Sequence, residues 1–75
     1  MIFTDGVHVV SDATLDELHS FADKAGLSRK WFQDSPKHPH YDVTTERMKK
    51  KVVKLGAALV SPVQVILKAQ QCASK

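Results

Sequence analysis

The sequence predicts an α+β domain in which three helices pack on a short sheet of three or four strands. Three observations predict it. Capping residues and helical apolar spacing mark three separate helical segments. Short β-prone runs lie before, between and after them. The two kinds of element alternate along only 75 residues, which leaves room for one core and one domain, residues 1–75.

The elements follow in order. Ile2-Phe3-Thr4 and Val7-His8-Val9-Val10 are β-prone runs joined by Asp5-Gly6. Such a two-residue link favours a hairpin, because a type I′ turn needs positive φ at both positions. The alternative is one bent strand with a bulge at Gly6. Thr14 and Glu17 then have the spacing of a capping box. Leu15, Leu18, Ala22 and Ala25 recur at helical spacing with Phe21 beside them, and Gly26 ends the helix at its left-handed C′ position. Residues 29–33 read as a further strand with Trp31 and Phe32 on opposite faces.

From Asp34 the composition turns to Pro, His, Ser and Lys, and two prolines forbid a helix interior. A short extended run follows at Tyr41-Asp42-Val43. Thr44 or Thr45 caps the second helix, with Met48, Val52 and Leu55 on one face and Gly56 as the stop. Ala57-Ala58-Leu59-Val60 reads as a short buried strand. Ser61-Pro62 opens the third helix, with Gln64 at capping-box spacing and Val63, Ile66, Leu67 and Gln70 as its inner edge. Residues 72–75 form a tail expected to fray.

Composition limits the function classes. A chain that is 43% hydrophobic and 25% charged is globular and not disordered. At this length it buries only about 60–65% of its unfolded surface, so its stability margin is thin. The single Cys72 excludes an internal disulfide and a zinc ribbon, and a reducing cytoplasmic setting fits it. No apolar run approaches the roughly 18 residues of a membrane span, and the N-terminus lacks a signal peptide's basic and apolar regions. No membrane partner is expected. The net charge of +3 permits an anionic partner without requiring one.

Two constellations carry candidate chemistry. His8, His19, His38, His40, Asp5, Asp12 and Asp42 are ligand types for zinc, manganese or magnesium. His38-Pro39-His40 puts two imidazoles on one side of an extended strand. His8, His19, His40 and Asp42 are the residues assigned to a catalytic site of general acid–base or hydrolytic type, provided they converge. No metal ligand set and no cofactor is assigned from the sequence. The bland reading makes His19 a hydrogen-bonded histidine at the core edge, leaves His38 solvated, and has His40 anchor the loop through the backbone. The second constellation is basic. Arg47, Lys49, Lys50, Lys51 and Lys54 crowd one helix, and Trp31 and Tyr41, if exposed, would stack on unpaired bases. Its bland reading is a solvated helix face. Residues 45–72 do not read as a helix-turn-helix, because the link from Gly56 to Ser61 is too long and too β-like. Cys72 reads as a quiet, partly buried thiol.

Val7-His8-Val9-Val10-Ser11-Asp12, Leu15-Asp16-Glu17-Leu18-His19-Ser20-Phe21-Ala22, Gly26-Leu27, Trp31-Phe32-Gln33 and Pro39-His40-Tyr41-Asp42-Val43-Thr44 together carry a likeness. In these motifs the chain resembles the domain-of-unknown-function family 4031, short proteins of bacteria and phages. The resemblance spans roughly residues 2–60 and singles out His8, Asp12, His19, Trp31, Gln33, His40, Tyr41 and Asp42. It implies no reaction. Asp5-Gly6 makes a shorter link than the family usually carries.

The resulting expectation is a small cytoplasmic binding module of bacterial or phage character, with nucleic acid the favoured partner. One alternative is a His/Asp hydrolase or metal site built from His8, His19, His40 and Asp42. Another is a module that binds or inhibits a larger host protein through Trp31 or Tyr41. The oligomeric state is not legible.

Overall fold

The computed structural model describes residues 1–73. Strands β1 (Ile2–Thr4), β2 (His8–Ser11), β3 (Phe32–Gln33), β4 (His40–Asp42) and β5 (Ala58–Leu59) form one sheet in the order β3-β4-β2-β1-β5. Helices α1 (Leu15–Ala25), α2 (Glu46–Lys54) and α3 (Pro62–Gln70) pack on it. The architecture is the α+β class expected, with five strands where three or four were predicted. The two outermost strands, β3 on β4 and β5 on β1, are two-residue edges shorter than the runs that the sequence marked for them. All pairings are antiparallel except β1 with β5.

Alternation along the strands divides the core into two parts. Ile2, Val9 and Tyr41 point to the face covered by α1 and α2, where they meet Leu18, Ala22, Ala25 and Val52. Phe3 and Val10 point to the opposite face and meet Val65 and Ala69 of α3. Lys68 lays its ammonium over the Phe3 ring, 5.0 Å from the centroid.

The helix ends explain themselves locally. Thr14 accepts from the Glu17 N–H at 3.1 Å, as a capping box requires. The Glu17 carboxylate does not complete the box, because it binds the Ser11 hydroxyl and the Met1 amino group instead, both at 2.6 Å. Gly26 takes φ 78° and Leu27 donates back to the Ala22 carbonyl at 2.9 Å, which closes α1 in a Schellman motif. Thr45 caps α2 and Ser61 caps α3, each accepting from the backbone N–H three residues on.

Two expectations change. Residues 29–33 are not one strand: Arg29–Trp31 form a 3-10 turn capped by Ser28, and only Phe32–Gln33 pair with β4. Helix α3 also lies on a different stripe from the one predicted. Val65 and Ala69 are buried, whereas Val63, Ile66 and Leu67 are 64%, 48% and 46% exposed. This helix is apolar on most of its circumference, so spacing alone did not choose a face. The smaller Val65 and Ala69 are the pair that meets Phe3 and Val10. At the C-terminus, Ala73 accepts from Leu15 at 3.0 Å and donates to Ala13 at 2.9 Å. Residues 74–75 of the predicted tail lie outside the described residues.

Leu18 has no exposed surface and joins α1 to the sheet. Leu18→Ala is expected to cost about 2–5 kcal/mol, against a total of about 4–11 kcal/mol for a chain of this size. Urea unfolding would show the midpoint falling with the slope unchanged.

Candidate metal centre

The centre begins in the turn between β1 and β2. Register pairs Thr4 with Val9, so four residues separate the facing pair and not the two of a type I′ hairpin. Gly6 alone takes positive φ there, at 94°. Side chains hold the turn. The Thr4 hydroxyl donates to the His8 carbonyl at 2.7 Å and accepts from the Gly6 N–H at 3.0 Å. Asp5 Oδ1 accepts from the Val7 and His8 N–H groups, both at 2.8 Å, and Oδ2 meets His8 Nδ1 at 3.1 Å. Burial raises the Asp5 pKa, but the two backbone donors and the imidazole outweigh it, and the carboxyl titrates below its ordinary range.

β4 supplies the rest. Its period of two puts His40 and Asp42 on the α3 face of the sheet, and register puts His8 opposite Asp42. The His8 and His40 rings meet edge to face with centroids 5.0 Å apart. His40 Nδ1 lies 2.6 Å from the His38 carbonyl, and His40 Nε2 lies 3.5 Å from Asp42 Oδ1. Gln33, across on β3, donates to Asp42 Oδ2 at 3.3 Å. One ligand atom each from His8, His40 and Asp42 lies within 4.8 Å of the others.

Hydrogen-bond partners decide which nitrogen is the ligand. An ionised Asp5 and the His38 carbonyl are acceptors only, so each holds the proton of a neutral imidazole on Nδ1. The lone pairs of His8 and His40 then reside on Nε2. This arrangement, an imidazole oriented through its second nitrogen, is the usual support of a metal-ligating histidine. Donors around a tetrahedral zinc stand about 3.3 Å apart; the His40–Asp42 pair at 3.5 Å is already near that spacing.

α3 packs across β1 and β2. Between its Val65, Ile66 and Ala69 edge and the strands lies a cavity of 270 Å³ that opens onto His8, His38 and His40. Gln70 Nε2 lies 3.2 Å from His38 Nε2, linking α3 to the proline loop beside that cavity.

His19 does not join the other predicted site residues. It projects from α1 on the opposite face of the sheet, with Nδ1 2.6 Å from the Tyr41 hydroxyl and its ring against Phe32. The reason is alternation: Tyr41 lies between His40 and Asp42 and points the other way. Tyr41 is also fully buried, so it offers neither a base-stacking platform nor an anchor for a protein partner. Burial pushes the Tyr41 pKa up. Asp12 is occupied elsewhere, 3.0 Å from the Met1 amino group. Cys72 is partly buried, and burial followed by Glu17 and Asp12 raises its thiol.

The basic residues divide. Arg47 and Lys51 line a second groove with Trp31, Gly26, Thr45 and Met48. Lys49 lies along the Gly6 turn, while Lys50 and Lys54 are exposed. Among the described residues, every ion pair within 4.0 Å uses a histidine or the Met1 amino group and none uses a lysine or arginine. No helix is long and apolar enough to cross a membrane among these residues. The His8 and Asp42 positions were legible as types, whereas the orienting roles of Asp5 and the His38 carbonyl carried no spacing signal.

Burial, followed by the nearby Arg29, lowers the His19 pKa below its ordinary 6.5. Just below that pH the unfolded chain takes up a proton that the folded chain refuses. The His19 contribution is therefore fully present above pH 6.5 and lost as pH falls through the folded value. Urea midpoints measured from pH 7 to about 5 should fall less steeply in His19→Gln than in the unaltered chain. Asp5 and Glu17, with ordinary values of 3.8 and 4.5, act in a lower window.

No curated protein and no solved structure shows a significant match to this chain. The model of a family described as protein of unknown function, DUF4031, matches residues 4–72, nearly the whole chain, and the chain belongs to that family.

Proposed function

We propose that His8, His40 and Asp42 bind a divalent transition metal, zinc by preference, and that the metal activates water for hydrolysis. One observation carries this reading. Both imidazoles have Nδ1 committed to an acceptor, which leaves Nε2 free to ligate, and one ligand atom each from His8, His40 and Asp42 lies within 4.8 Å of the others. Three electron-rich atoms in such proximity repel unless a cation or a proton lies among them. Two nitrogens and one oxygen suit zinc better than magnesium or calcium, which prefer oxygen alone. Three protein ligands leave a coordination position for water, whose pKa zinc brings to about 7.

A second reading, binding of single-stranded nucleic acid, is supported by the groove of Trp31, Arg47 and Lys51 and by the unpaired basic charge on α2. Trp31 is half-buried there, so part of its ring is open to stack. This groove lies across the sheet from the histidines and would act independently of them.

Calorimetric titration with zinc tests the first reading. One equivalent should bind to the unaltered protein and to His19→Ala, while His40→Ala and Asp42→Ala should lose the binding. Asp5→Asn should weaken it by about 10- to 100-fold, the usual effect of removing an orienting partner. A flat titration of the unaltered protein would sink the idea.

Fluorescence anisotropy with a single-stranded oligonucleotide tests the second. Affinity should fall steeply between about 50 and 200 mM salt, and Arg47→Ala or Lys51→Ala should lower the salt slope by about one. Binding weaker than about 100 μM at low salt, which is the non-specific range, would remove it.

A further inference from the structure

Resting on the metal reading, we infer that the cavity beside the histidines takes the aliphatic acyl group of a small ester, and that the substrate is not a phosphodiester. The cavity opens onto two of the three proposed ligands, His8 and His40, so a molecule held in it has its reactive end at the metal. Its remaining walls are Val10, Val65, Ile66 and Ala69, together with His38. Among the described residues, no lysine, arginine or carboxylate lines it. A phosphate diester needs cations around its equatorial oxygens in addition to the metal, and Lys68, on this side of the sheet, lies over the Phe3 ring and not along the cavity wall. An acyl chain needs only apolar walls, and its single carbonyl oxygen needs only the metal as Lewis acid. At 270 Å³ the cavity falls just under the range of drug-sized pockets, which suits a chain of a few carbons.

The wall also accounts for a feature that packing leaves unexplained. Ile66 is 48% exposed, yet it lines this cavity and not the core. An aliphatic chain seated there would cover it. His38 is held at the same rim by the Gln70 amide, whose Nε2 lies 3.2 Å from His38 Nε2.

The chemistry balances without further reagents. Water ionised at the metal adds to the ester carbonyl carbon, forming a new C–O bond, and the bond to the alkoxide breaks. The proton released on ionisation returns to the departing alkoxide as an alcohol. The carboxylic acid formed gives its own proton to solvent through the open mouth.

Alkyl hydroxamic acids serve as probes, because their two oxygens chelate zinc while the alkyl group reports on the wall. Zinc-loaded protein would be titrated with aceto-, butano- and hexanohydroxamic acid. Kd should fall about three- to fourfold per methylene until the cavity is full, the value for burying each CH₂. Ile66→Ser, at an exposed position with no folding role, should keep the zinc affinity and lose most of that chain-length dependence. In parallel, kcat/KM for p-nitrophenyl butyrate should exceed that for the acetate, with bis(p-nitrophenyl) phosphate turned over more slowly than either. Zinc bound normally but with hydroxamate affinities independent of chain length, or with the phosphodiester preferred, overturns this inference and leaves the metal site intact. Failure to bind zinc at all overturns both, and the metal titration alone identifies that case.

Discussion

The alternation of His40, Tyr41 and Asp42 along β4 is the constraint on which the other features depend. Tyr41 has no exposed surface, pairs with Val9 on one side and Phe32 on the other, and sits in the larger of the two core clusters. Fixing that ring inward leaves no choice for its neighbours. His40 and Asp42 must emerge on the opposite face, because a slip of one residue would bury both and expose the tyrosine. β4 and β2 are joined by this pairing, so His8 arrives opposite Asp42 without any contact of its own design. The metal-like cluster is thus a consequence of where one aromatic residue is buried.

The polar groups around the cluster are held from behind and not by each other. Asp5 is fixed by two backbone donors before it touches His8. The His38 carbonyl is positioned by the extended backbone that Pro39 imposes, and Pro39 is itself buried. Gln33 reaches Asp42 from the two-residue edge strand. Each support belongs to a turn or an edge, where side chains make bonds that strands would otherwise make through backbone. This gives the loop from Trp31 to Asp42 a division of labour. Its ends pack into the core or present His40 and Asp42 at the candidate site, and its middle carries a carbonyl and an imidazole to the cavity rim.

Charge is distributed unevenly across the sheet. The α3 face holds His8, His40, Asp42 and apolar walls, with Lys68 over the Phe3 ring, and α2 on the other side carries Arg47 and four lysines that no carboxylate pairs among the described residues. His19, with its pKa lowered by burial, belongs to the second side and stays uncharged against Tyr41.

Much of the fold was legible in the residues. Caps at Thr14, Thr45 and Ser61, the stops at Gly26 and Gly56, and the apolar spacing of α1 act within a few residues, and local physics determines them. The five extended segments were visible for the same reason, although their number in the sheet was not, since two-residue edges exist only through their partners. Side-chain types at the candidate site were legible too. Only tertiary structure decided the rest. It excluded His19, because which face α1 occupies depends on how Leu18 and Tyr41 pack together. It rotated α3 onto Val65 and Ala69, because a helix apolar nearly all round is oriented by the surface it meets. It brought in Asp5 and the His38 carbonyl, whose roles depend on bonds that leave no trace in spacing.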